Sequence, residues 1–472
     1  MTRHRWNVLA LAGGAGIVPG GVRTACCNSA IFDPASRWSA RLAAWLDVAF
    51  IVSGVALMAG LKHNYGDDGA VRHDALEALL QGHLSHQPFS LVVPLLAVPL
   101  DVLGRAIGSD SAEYGLNQLL FAGSLVAIWL LLRDRVPGEL LRGFLLLLVF
   151  GSLFPPAVVS FYGETATATL VAVGLLAVVV GSRAPTRVAG WAAVAIGVAN
   201  TPALLPGLAI VVVIVVVARR SLWPVVALGA AVCLTVVDIR LHTGRFGSPY
   251  AGDHGLATVL PYSGLPGFSY PALFGLLAIV FSLGKGLLFF TPGLFLPVRE
   301  ALDGMRPLRR TRILWLVVVV CMVAVYCRWW AWYGGVFFGP RFFLIASFPA
   351  SLALAVRLRT PFRSLAGNVL TLLALTVSIW VGVVGAMGVR TDETCTADGY
   401  ALEHLCWYTP EFGALTRPFV DWPAQSTSSV LFGLLGLAVL VRLGAQPVRE
   451  LVSRLRDEGA RIAESVTAGR TW

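Results

Sequence analysis

Apolar residues recur along this chain in runs of about 15 to 25, separated by short polar linkers, a period that fits membrane-crossing helices and no soluble core. The runs fall at 45–61, 114–132, 139–157, 163–181, 187–200, 203–218, 222–238, 273–298, 313–328, 341–356, 367–388 and 427–443. A further stretch, 88–104, holds three prolines and is short for a span of about 20 residues, so it reads as a bent, partly embedded piece of a long first loop. Within that loop, the spacing after residue 69 predicts a short interfacial helix. The expected fold is all-α: a polytopic membrane domain of about twelve helices over 45–443. An N-terminal extension (1–44) precedes it and a basic tail (444–472) follows.

Composition agrees with that reading. Of 472 residues 57% are hydrophobic and 13% charged, and the mean hydropathy is +0.75, which leaves too little polar sequence for a large soluble domain. The formal charge of +10 raises the question of nucleic acid, but the cations lie in the linkers. With twelve crossings and both termini cytoplasmic, 26 of the 36 Lys and Arg fall on the inner side, the bias expected of a plasma (inner) membrane protein. The basic, weakly apolar start resembles a signal peptide but lacks a convincing cleavage site, and is read as part of the extension.

That topology leaves three sizeable outer loops, 62–113, 239–272 and 389–426, and it is there that chemistry is expected. The first contains "YGDDG", with Asp67 and Asp68 within about two turns of the end of the first run, where burial would make a carboxylate a useful base. A polar turn explains the same residues without chemistry. A neighbouring acid is suited to a divalent cation such as Mg or Mn, although no pair of His stands at a convincing ligand spacing. Glu164 opens the fourth span on the same side.

Cations outside are exceptions to the charge bias. Lys285, in "SLGKGLLFF", interrupts an apolar run at a cost of roughly 2.5–3.5 kcal/mol, and Arg341 follows Gly339-Pro340; Arg245 sits in the second loop. Each suits a phosphate, and each also suits snorkelling to lipid headgroups. Tyr65, Trp332, Tyr333 and His254 are candidate cavity-lining residues, the aromatics fitting an interfacial belt equally well. Cys395 and Cys406 share one outer loop and form the expected disulfide, whereas Cys26 and Cys27 lie in the extension.

In order along the chain, "YGDDGAVRHDALEALLQGHL", "TGRFGSPYAGDHG", "SLGKGLLFFTPGLFLP" and "WWAWYGGVFFGPRFFL" together resemble the bacterial GT-C membrane glycosyltransferases. The resemblance is to the branch that includes the dolichyl-phosphate-mannose protein mannosyltransferase-like proteins. The resemblance covers roughly 45–360. It implies transfer of a sugar from a polyprenyl-phosphate donor to an extracytoplasmic glycan, lipid or protein acceptor, with inversion. Asp67 or Asp68 would be the base, and Arg341 with Lys285 would meet the phosphate. The chain departs from the family pattern, in which the acidic pair is often Asp-Glu with a tyrosine two or three residues later, whereas here Asp68 is followed by Gly-Ala-Val. A lipid or glycolipid flippase, and a catalytically degenerate scaffold of the same fold, are the alternatives.

Overall fold

A computed structural model describes residues 34–109, 111–246, 265, 267–335, 337–388, 395, 402–423 and 425–468, with side chains at 34–40 and 459–468 left out. By contacts the chain forms two units. Of the first, Met1–Ala43, only the opening turns of a helix are described; the second, Ala44–Trp472, holds everything below. The described residues are helical, with a single isolated bridge and no strands.

Among the described residues eight helices are long and apolar enough to cross a membrane, which makes this a multi-pass membrane protein. They lie within α1 (Pro34–Ala59), the Ala112–Leu132 helix that ends in α4 (Leu116–Leu132), α7 (Gly163–Val180), the Pro202–Arg219 helix that ends in α9 (Leu205–Arg219), α10 (Trp223–Thr243), the Arg341–Arg359 helix that ends in α14 (Ser347–Arg359), α15 (Leu365–Ala386) and α17 (Thr427–Ala468). The other expected spans differ for local reasons. α5 (Gly138–Phe150) stops at Gly151, and the two prolines of α6 (Phe154–Ala157) prevent it from continuing. α8 (Ala184–Asn200) is 17 residues long, and the first seven residues of α13 (Arg306–Tyr326) carry four arginines. The run at 273–298 is no continuous helix: α11 (Ala272–Phe281) gives way to a turn around Gly284-Lys285-Gly286. After that turn come the four residues of α12 (Leu287–Phe290) and a short 3-10 turn, Pro292–Phe295.

The first loop folds as two helices. α2 (Asp68–Leu80) occupies the stretch with helical spacing, and α3 (Val92–Ala106) is the proline-rich piece, with Pro99 inside it. The start of α3 is tied to α10, because Leu91 N donates to the buried Asp238 carboxylate at 2.9 Å. The basic tail continues α17 as one helix of 42 residues, about 63 Å at 1.5 Å per residue.

Which helices sit inside follows from their small residues. α7 and the Arg341–Arg359 helix are 78% and 89% buried over their apolar windows, against 17% for the α1 span and 28% for α10. α7 and α8 cross where Gly174 faces Gly190: a Cβ on either would come within 2.7 Å of the other's carbonyl oxygen, so glycine at both is what lets the backbones touch. A short connecting helix, α16 (Glu403–Tyr408), closes over the turn at Lys285.

Candidate functional site

The segment ahead of α2 is fastened to the segment ahead of α7. Asn64 pairs in a parallel bridge with Ser160, its backbone N–H donating to the Val159 carbonyl at 3.0 Å and its amide to the Tyr162 hydroxyl at 2.9 Å. The fully buried Asn117 of α4 braces the same strip from behind, donating to the Ser160 and Tyr162 carbonyls at 2.6 and 2.9 Å. His63 reaches Gln118 at 2.8 Å, and burial holds its imidazole below the ordinary value against the opposing pull of that hydrogen bond.

Asp67 follows at the N-cap of α2, but without acting as a cap. Its carboxylate makes no capping hydrogen bond, and its backbone sits at φ 55°, ψ −137°, a conformation costly for any residue with a side chain. Asp67 lines a cavity of about 270 Å³ whose wall is largely apolar, with His63, Asn64, Ser160 and Ser426 among its polar residues. Asp68, one residue on, points the other way, to a cavity of about 400 Å³. That cavity is mostly apolar, lined among others by Pro206, Met322, Phe342 and Ile345, with Thr167, Asn200 and Thr201 as its polar edge.

Arg341 and Glu164 line both cavities. Arg341 Nη1 lies 2.8 Å from Asp68 Oδ2, and Nε lies 3.4 Å from Glu164 Oε1. These are ion pairs whose N–H directions miss the oxygens: Nε and Nη1 make no aligned hydrogen bond, and neither does Glu164 Oε2. The guanidinium is flanked by the Phe337 ring, 4.1 Å from its carbon, and by the Phe342 and Tyr162 rings at 5.2 and 5.4 Å. Burial raises the Tyr162 phenol far above its usual range; Arg341 opposes this, and Asp67, Asp68 and Glu164 add to it.

Two carboxylates, Asp68 and Glu164, therefore flank one guanidinium, and Asp67 shares a cavity wall with it. Among the described residues no three His, Cys, Asp or Glu side chains converge as a metal-ligand set. Beside Asp68, one of the acid pair where the sequence suggests Mg or Mn, stands Arg341.

Other sequence candidates lie elsewhere. Lys285 is 1% exposed, lines neither cavity and is held by the Gly335 and Phe337 carbonyls. Trp332 and Tyr333 pack into the core rather than against a cavity, Tyr333 stacking on Trp407 at 4.8 Å. Tyr65 is largely exposed, edge-on to Tyr114, and Arg245 is exposed beyond the end of α10. His254 lies outside the described residues. Cys395 and Cys406 form a disulfide with Cα atoms 6.1 Å apart. Tyr162, Asn64 and Asn117 carry no sequence signal beyond being single polar residues at the edges of apolar runs. No protein-family model, curated protein or solved structure matches this chain.

Proposed function

We propose that this protein is a membrane glycosyltransferase of the GT-C type, with twelve crossings, both termini cytoplasmic and its site on the outer face of a plasma membrane. It moves a sugar from a polyprenyl-phosphate donor to an extracytoplasmic acceptor. The observation that carries this reading is that Arg341, paired with Asp68 and Glu164, stands between two cavities, the smaller of which Asp67 also lines.

The roles follow from position. The larger cavity, the more apolar of the two, takes the prenyl phosphate, and the smaller, where Asp67 stands, takes the acceptor hydroxyl. As the acceptor oxygen forms its bond to the anomeric carbon, Asp67 accepts the proton. The bond from that carbon to the phosphate oxygen breaks, and the phosphate departs with the electron pair towards Arg341. Attack from the face opposite the leaving group inverts the centre. Asp68 and Glu164 orient the guanidinium from either edge, and phosphate binding displaces one of them, because both Nη1 and Nε already face carboxylates.

The test is transfer from a polyprenyl-phosphate sugar by the purified protein in lipid nanodiscs, paired with glycan analysis of membranes from a strain lacking it. Complementation with Asp67→Asn is expected to fail. Full rescue by that variant removes the base assignment, and transport of the lipid without transfer replaces this reading with the flippase.

A further inference from the structure

A lysine buried in an apolar shell needs an explanation, since an apolar side chain of its size would fill the same space at no electrostatic cost. Lys285 Nζ donates to the Gly335 carbonyl at 2.8 Å and to the Phe337 carbonyl, and its remaining direction faces the Trp407 ring, with the centroid 4.8 Å away. Both acceptors adjoin Arg341. The Phe337 ring covers the guanidinium, and Gly334, at φ 74°, lies so close that a Cβ there would come within 3.0 Å of Arg341 Cγ.

On its other side the lysine turn is bound to α16. Gly284 N donates to the Trp407 carbonyl at 3.1 Å, and a Cβ at 284 would stand 1.9 Å from the Cys406 carbonyl oxygen. Cys406 is joined to Cys395, and Trp407, 1% exposed, stacks on Tyr333 at an interplanar angle of 24°. A continuous set of contacts thus runs from the disulfide through Trp407 and Lys285 to the backbone that packs on Arg341.

We propose that Lys285 is a positioning residue. It fixes the Gly335 and Phe337 carbonyls and so sets Arg341 between Asp68 and Glu164, while the Cys395–Cys406 bond holds Trp407 as the outer jaw of the clamp. That Arg341 meets a phosphate depends on the function proposed above; that Lys285 places Arg341 does not. The consequence is that an oxidised outer connection is a condition for an ordered site.

The test reads Arg341 directly. The full-length protein in nanodiscs is treated with phenylglyoxal, and the adduct at Arg341 is quantified by peptide mass spectrometry relative to Arg357. That arginine is also buried and lies at the far end of the same helix, with its guanidinium on the Pro297 carbonyl. General loosening moves both arginines, whereas release of the clamp moves the ratio. Lys285→Met and the paired Cys395→Ser/Cys406→Ser variant are expected to raise the ratio by about fivefold or more, and Trp407→Phe, which keeps a ring face, to stay within about twofold of wild type. An unchanged ratio in Lys285→Met overturns the proposal; if that variant does not accumulate, an unchanged ratio in Trp407→Leu does so. A raised ratio in a protein that transfers no sugar leaves the clamp in place and removes the glycosyltransferase reading alone.

Discussion

Replacing Asp67 by glycine should make the protein more stable and less capable. At φ 55°, ψ −137° a residue with a Cβ carries about 1–3 kcal/mol of backbone strain, which glycine does not. Glycine returns about 0.5–1 kcal/mol through the larger entropy of its unfolded chain, so the net gain is about 0.5–2 kcal/mol. The carboxylate makes no capping bond to be lost, but removing its charge near Tyr162 has an effect of its own; Asp67→Asn carries that effect and keeps the strain. The informative quantity is therefore the difference between the two variants. It is read from the fraction of micelle-solubilised protein that stays monodisperse after heating through a temperature series. Asp67→Gly is expected to outlast both Asp67→Asn and wild type, and neither variant to transfer sugar. If Asp67→Gly melts at or below Asp67→Asn, the backbone at this position is not strained and the argument that function holds it there fails.

Asp68→Asn frees one edge of Arg341 and is expected to tighten binding of polyprenyl phosphate by about tenfold, near 1.4 kcal/mol, while Arg341→Ala abolishes it; a titration showing no gain in Asp68→Asn rules out competition for the guanidinium. His63 titrates below its ordinary value of 6.5 because it is buried, so the unfolded chain binds the proton first. Its contribution to stability is complete above pH about 6.5 and declines as pH falls from there through the lowered value, a decline that His63→Gln should remove from thermal melts at pH 5 and 7.5. Gly284→Ala forces a methyl to within 1.9 Å of the Cys406 carbonyl oxygen and should cost about 3 kcal/mol or more, visible as a lower melting temperature; a melt equal to wild type would mean that α16 does not press on this turn.

The apolar runs made most of the helices legible, because their length and period are local properties. Where the structure breaks a run, at Gly151 and at Gly284-Lys285-Gly286, the cause was present as glycine and proline but competed with hydropathy that still read as continuous. The two ends of the site were equally visible, as "GDDG" and "GPR". Their joining was not, since Asp68 and Arg341 are separated by more than half the chain and nothing periodic links them. Lys285 illustrates the limit: its charge marked it as unusual, but whether it faces a ligand or two carbonyls is decided by residues some fifty positions away. Trp332 and Tyr333 failed as cavity residues for a related reason, because an aromatic beside a glycine turn packs inward or lines a cleft according to what covers it, and here Trp407 does.

The partition made by Arg341 and Glu164 has a kinetic meaning. Each compartment has its own wall and both open on one guanidinium, so on the proposed reaction donor and acceptor are accommodated side by side rather than in turn. Initial-rate plots should then intersect as for a ternary complex, acceptor analogues should compete with acceptor alone, and spent carrier should be able to leave while the next acceptor is already seated.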